Sequence, residues 1–113
     1  MAKVSKIIVV MADWCPHCVP TTVEAMERAA KELGAVFQTY NIDDLAQERL
    51  ADEIVKKYGD WSPNYLIPQV FFEYSDGSIE HVLTGQREGV WATKEKINEL
   101  VQGPKFAALK ATS

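Results

Sequence analysis

Several things are scarce in this 113-residue chain, and each scarcity closes off a class of function. There are only two cysteines, Cys15 and Cys18, and two histidines, His17 and His81. A closed structural zinc site takes four ligands. With no second C-x-x-C, such a site would have to be shared with another copy. No apolar run approaches the roughly 20 residues that a membrane span needs. Positive charge is not in excess: the net charge is −4, which gives no reason to expect nucleic acid or an anionic membrane surface as a partner. There are no repeats, no low-complexity tracts and no composition shift marking a second domain. The charged start, Met1 to Lys6, is followed by only five strongly apolar residues, too few for a signal-peptide core. The expectation is a cytoplasmic protein. In a reducing cytoplasm a lone cysteine pair reads as catalytic rather than structural.

What is present suits one soluble domain, with 47% hydrophobic and 25% charged residues. The informative stretch is Ala12-Asp13-Trp14-Cys15-Pro16-His17-Cys18. It follows the apolar run Ile7 to Met11 and precedes a helical pattern. A C-x-x-C between a strand and a helix is the layout of a redox dithiol. Disulfide exchange needs one thiolate to attack and a second thiol to resolve the mixed disulfide. Cys15 is assigned the first role and Cys18 the second. A helix start supplies free N–H groups and a positive dipole end, which lower a cysteine pKa. Pro16 fits the first helical turn, where its missing N–H costs nothing. His17 adds positive charge or a hydrogen-bond donor beside the Cys15 sulfur, which favours the reduced form; an exposed turn residue is the plainer alternative.

The rest of the chain reads in order. Residues 4–11 form a strand buried on both faces. A helix follows, with Val19, Val23, Met26, Ala30 and Leu33 as its apolar stripe and Gly34 as its stop. Pro20 sits inside that pattern and predicts a kink, or an irregular turn around Cys18 and Val19. Residues 35–42 form a second strand. Asp43-Asp44 opens a second helix, whose buried face is Leu45, Leu50, Ile54, Val55 and Tyr58, with Gly59 at its end. A loop with two prolines and two aromatics, Trp61 and Tyr65, leads to a strand over 69–74. Asp76-Gly77 turns a hairpin into a strand over 79–84. A last helix runs from about Thr93, a plausible N-cap, to Gln102, with Ile97, Leu100 and Val101 inward. The domain spans 1–103. Residues 104–113 are expected as a frayed tail, with Phe106 and Leu109 able to dock.

The order is β-α-β-α-β-β-α, with the dithiol after the first strand. At this point the chain resembles the thioredoxin superfamily over roughly residues 4–102. Trp14-Cys15-Pro16-His17-Cys18 is similar to the family's W-C-x-x-C, and Ile67-Pro68 before a strand is similar to its cis-proline. Asn41-Ile42-Asp43, Asp76-Gly77 and Gly85 resemble further family positions. The resemblance implies a minimal thioredoxin-like α/β fold, with a four-stranded mixed sheet flanked by three helices. It implies a cis Ile67–Pro68 bond set against the dithiol. It implies substrate held by the backbone of Ile67 beside Pro68, with Trp14, and Trp61 or Tyr65, as an apolar rim. For Trp61 and Tyr65, packing over a long loop is an equal alternative.

The departures from that pattern carry information. Thioredoxin's buried acid falls at Val9 and its partner lysine near Thr39. No strand and helix precede residue 4, which is the glutaredoxin length, yet the glutaredoxin glutathione pattern is not clear in residues 85–89. The Pro-His pair is similar to that of periplasmic disulfide-forming oxidases, without their inserted domain. The expected activity is thiol–disulfide oxidoreduction with no metal or organic cofactor, by a monomer. Its partners would be a protein or small-molecule disulfide or dithiol, and an electron donor such as a reductase or a low-molecular-weight thiol. His81 is read as structural, and Asp13 and Glu73 as exposed charge. Two other classes stay open: a metal-handling dithiol protein, and a non-catalytic thioredoxin-like adaptor.

Overall fold

A computed structural model of the chain describes residues 2–112, so Met1 and Ser113, the ends of the expected domain and tail, lie outside the described residues. The sheet is built on β1 (Val4–Met11), six of whose eight residues are buried. Because strand side chains alternate faces, Ile7, Val9 and Met11 enter one core and Ile8 and Val10 the other. A strand apolar on both faces belongs in the middle. β1 pairs parallel with β2 (Val36–Asn41) and antiparallel with β3 (Gln69–Tyr74), which pairs antiparallel with β4 (Ile79–Thr84). The order is β2-β1-β3-β4, a four-stranded mixed sheet. All four strands fall within a residue of where the apolar runs place them.

Among the described residues four α-helices cover the sheet, one more than expected: α1 (Val23–Leu33), α2 (Leu45–Tyr58), α3 (Val90–Gln102) and α4 (Pro104–Thr112). Helices α1, α3 and α4 pack on the face of Ile7, Val9, Val70 and Phe72, and α2 packs alone on the face of Ile8, Val10 and Phe71. The extra helix is the segment expected as a tail. Gly103-Pro104 stops α3, but Pro104 then serves at a helix start, where its missing N–H is no loss. Phe106 and Leu109 dock and are buried, and Lys105 pairs with Glu80 on β4. Where apolar side chains have a surface to cover, a short terminal segment folds onto it.

Other expectations need correcting. In α2 the buried residues are Ala51, Ile54 and Val55, while Leu45, Leu50 and Tyr58 are exposed. Ala51, Ile54 and Val55 fall at i, i+3 and i+4 and so share the inward face, which leaves Leu45 and Leu50 off it and Tyr58 at the helix end. Its start is as expected: the Asp44 carboxylate accepts the N–H groups of Ala46 and Gln47 at 3.0 and 3.2 Å. Helix α3 begins at Val90, so Thr93 lies inside it, fully buried, and does not cap it. Val19 is exposed and lies outside the stripe of α1, for a reason that belongs to the dithiol turn. Among the described residues no helix is long and apolar enough to cross a membrane.

Candidate functional site

The site lies at the end of the sheet where β1 finishes. After Met11 and buried Ala12 the chain turns, and the Cys15 N–H donates to the Ala12 carbonyl at 3.2 Å. The Cys15 carbonyl then accepts from both Cys18 N–H and Val19 N–H at 3.0 Å. One turn of backbone thus carries both cysteines. Each is a free thiol, and each is buried. Pro16 has helical φ and ψ at the head of the turn and is exposed.

The helix after Cys15 is broken around Val19. The wide helical turn His17–Thr22 contains Val19 in an extended conformation (φ −123°, ψ 127°), followed by a cis Val19–Pro20 bond. The irregularity anticipated from Pro20 is therefore present. It swings the Val19 side chain outward, and α1 starts only at Val23. Two bonds bridge the break: Val23 N–H to Cys18 O, and the Thr22 hydroxyl to His17 O at 2.6 Å. A helical turn therefore starts beside Cys15, as expected, but α1 itself begins eight residues after that cysteine. A dipole acts within about one turn of its end, so the positive end expected at Cys15 is that of the short turn.

The two thiols stand in different environments. Burial pushes the Cys18 thiol well above its ordinary range. Its hydrogen bond to the Cys15 sulfur raises it further, as does charge on Cys15, while the Ala12 backbone works the other way. Cys18 is therefore a thiol that its surroundings hold in the protonated form.

His17 is half-buried, and a second element holds it. Its Nδ1 lies 2.7 Å from the hydroxyl oxygen of Thr93 on α3. The same oxygen accepts the backbone N–H of Gln86 at 2.9 Å. Thr93 therefore ties the dithiol turn, α3 and the loop after β4 together. Reading the sequence misses this, because a threonine near a helix start reads as a cap. Gly89, four residues earlier with φ 147°, is the signal that the helix begins sooner.

The Ile67–Pro68 bond is cis, and Pro68 is buried. Strand register pairs Val10 with Gln69, so Met11 and Pro68 are the next neighbours at the same end of the sheet. The dithiol turn and the cis-proline thus leave the sheet side by side. Gly85 N–H donates to Pro68 O at 2.7 Å. Ile67 is half-buried and packs into the cores on both sides of the sheet.

The loop before Pro68 is pinned by Gln69, a fully buried polar residue that a sequence reading passes over. Its amide donates to Asp60 O and Leu66 O at 3.1 and 3.0 Å and accepts the Asp60 N–H at 3.0 Å. Trp61 and Tyr65 face each other at 5.6 Å, Lys56 lies over the Trp61 ring, and the Tyr65 hydroxyl donates to Asp52 of α2 at 2.8 Å. These contacts match the loop-packing alternative for both residues and turn them toward α2. Trp14 is 67% exposed, and Trp91 at the start of α3, not singled out in the sequence, is 60% exposed. Asp13 accepts a hydrogen bond from the Asn41 side chain at 3.2 Å. His81 packs on Phe71 and lies 2.7 Å from the Thr84 hydroxyl.

Among the described residues no group of three or more His, Cys, Asp or Glu side chains gathers to hold a metal ion. Comparison with family models, curated proteins and solved structures finds no match to this chain.

Proposed function

We propose that this chain is a thiol–disulfide oxidoreductase on a thioredoxin-like fold. One observation carries the reading: two free, hydrogen-bonded cysteines share a single backbone turn, directly beside a cis-proline at the same end of the sheet. The strand pairing, order β2-β1-β3-β4 with only β1 and β2 parallel, is compatible with that fold, and α4 is an addition to it.

The roles follow from the asymmetry of the thiols. Cys15, as thiolate, attacks one sulfur of a substrate disulfide. An S–S bond forms between Cys15 and the substrate, the substrate's own S–S bond breaks, and the departing thiolate takes a proton from solvent. Cys18 holds its proton until then, because burial disfavours its anion. It then loses the proton and attacks the Cys15 sulfur, releasing the second substrate thiol. Two electrons have moved from the protein to the substrate, and an external dithiol or thiol donor restores the pair. The reverse sequence oxidises a substrate dithiol. The backbone beside Pro68 offers an edge for an extended substrate segment, and exposed Trp14 borders the same end of the molecule.

The buried acid of thioredoxin has no counterpart. Its position is Val9, fully buried, and Thr39 is the neighbour of Val9 in the strand register. Neither side chain exchanges a proton, so the proton of Cys18 leaves through water or through a group on the dithiol turn.

The test is the equilibrium between the purified protein and glutathione redox buffers, read by trapping free thiols. A reversible two-electron couple that disappears in Cys15→Ser supports the reading. No couple in the unsubstituted protein overturns it.

A further inference from the structure

We propose that Thr93 is a positioning residue for His17: it holds the neutral imidazole in the tautomer with its proton on Nε2, keeping that nitrogen a donor for sulfur at the dithiol. The inference rests on the redox reading above, and adds a residue from a distant element to the site.

The argument is one of hydrogen-bond accounting. A threonine hydroxyl has one proton and two lone pairs. One lone pair of Thr93 is committed, because the Gln86 backbone N–H is only a donor and points at Oγ1 from 2.9 Å. The hydroxyl proton needs an acceptor, since the side chain is fully buried and an unspent buried donor is costly. The Thr93 oxygen has one other partner among the described residues, His17 Nδ1 at 2.7 Å. A short contact of that kind is an O–H···N bond. If Nδ1 carried the proton instead, the oxygen would accept twice and its own hydrogen would be stranded. Thr93 therefore donates, Nδ1 accepts, and the ring proton of neutral His17 resides on Nε2.

That tautomer suits the chemistry. Nε2 has no hydrogen-bond partner among the described residues, so its N–H is free to serve an anion. The anion in this turn is sulfur, on Cys15 or on a departing substrate thiol. A donor to thiolate favours the reduced form. Thr93 touches neither sulfur nor substrate, and its effect passes entirely through the orientation and tautomer of His17. The backbone of Gln86 sets Thr93 in turn, which links the loop after β4 to the active end of the molecule.

The experiment uses the full chain, labelled with 15N, and two substitutions. Long-range 1H–15N correlation spectra report which His17 nitrogen is protonated. Equilibration with glutathione reports the reduction equilibrium. The expected result is a single Nε2–H tautomer in the unsubstituted protein and in Thr93→Ser, which keeps the hydroxyl. Thr93→Val, close in shape but unable to donate, is expected to give mixed tautomers and to lower the reduction equilibrium constant roughly three- to tenfold. That fall is expected to vanish when His17→Ala is already present, because the pathway is gone. A merely structural Thr93 would change unfolding stability and leave tautomer and equilibrium where they were, and that result overturns the proposal. An Nδ1–H tautomer in the unsubstituted protein also overturns it, and needs no variant to fold. Absence of any reversible couple overturns the redox reading instead, whatever the tautomer, so the two failures are told apart.

Discussion

Gly85 stands so close to the Ile67–Pro68 peptide that a β-carbon on it would lie 2.6 Å from the Ile67 carbonyl oxygen and 2.7 Å from Pro68 Cδ. Its own N–H closes the contact by donating to Pro68 O. The neighbour is backbone, which cannot turn aside as the tip of a side chain can. The end of β4 therefore seats the cis-proline, and only glycine allows the approach. Gly85→Ala is expected to destabilise the fold by about 1–3 kcal/mol, the usual cost of overpacking. It should also slow exchange with a peptide disulfide more than with a small one, because the displaced backbone is the proposed peptide edge. Urea unfolding and rates with the two substrates check both halves. Equal rates and unchanged stability would sink the assignment.

Gln69 holds the loop on the other side of Pro68. Its three hydrogen bonds to Asp60 and Leu66 are all made by one buried amide. Gln69→Leu keeps the size but strands two carbonyls and an N–H. The expected cost is about 2–4 kcal/mol, taking about 1 kcal/mol or somewhat more for each group left unpaired. Hydrogen exchange should rise at Asp60 and through residues 61–66 while the centre of β1 stays protected. A uniform loss across the sheet would show instead that Gln69 matters only to global stability.

Much of this arrangement is legible in the chain, for physical reasons that vary by element. β1 announces itself because Ile7 to Met11 are apolar without a break, which only a central strand tolerates. The hairpin at Asp76-Gly77 is equally plain: Gly77 takes φ 89° and the Asp76 carboxylate accepts from Ser78, so the local chemistry alone makes the turn. What stays hidden depends on distant partners. Thr93 looks like a cap until the Gln86 N–H and His17 claim its hydroxyl. Gln69 looks like a polar strand end until residues 60–66 fold over it. Leu45 and Leu50 count as apolar in any pattern, yet neither lies on the face of α2 that Ala51, Ile54 and Val55 turn inward. Pro20 advertises a disruption but not its form, and Val19 turns outward as a result.

The Lys105–Glu80–Tyr74 cluster ties α4 to β4 and gives a pH dependence whose sign can be stated. Burial alone would raise the Glu80 pKa, but hydrogen bonds from Lys105 and from the Tyr74 hydroxyl (2.5 Å) outweigh it and hold Glu80 below the usual carboxylate range. A carboxylate lowered on folding adds stability above its unfolded pKa of about 4.3 and loses it as pH falls through the folded value. The pair is partly exposed, so its share is small, about 0.5 kcal/mol. Lys105→Met is expected to lower stability by that amount at pH 7 and by progressively less as pH falls below about 4.3. Denaturant titrations of both proteins across that window check it; a difference independent of pH would mean Lys105 acts by packing alone.

The two cysteines should react in a fixed order. Burial first, then the hydrogen bond to the Cys15 sulfur, pushes the Cys18 thiol up and favours its protonated form. Alkylating reagents take thiolates, not thiols. Limited iodoacetamide on the reduced protein at neutral pH is therefore expected to give one adduct, on Cys15, with Cys18 modified only after unfolding. The proposed exchange would follow the same order. In Cys18→Ala the attack by Cys15 still proceeds, but nothing resolves the product, so a mixed disulfide with substrate or glutathione should accumulate and be visible by mass spectrometry. In Cys15→Ser no such adduct should form, because the remaining sulfur is buried and protonated. An adduct on Cys18 in that variant would reverse the assignment of attacker and resolver.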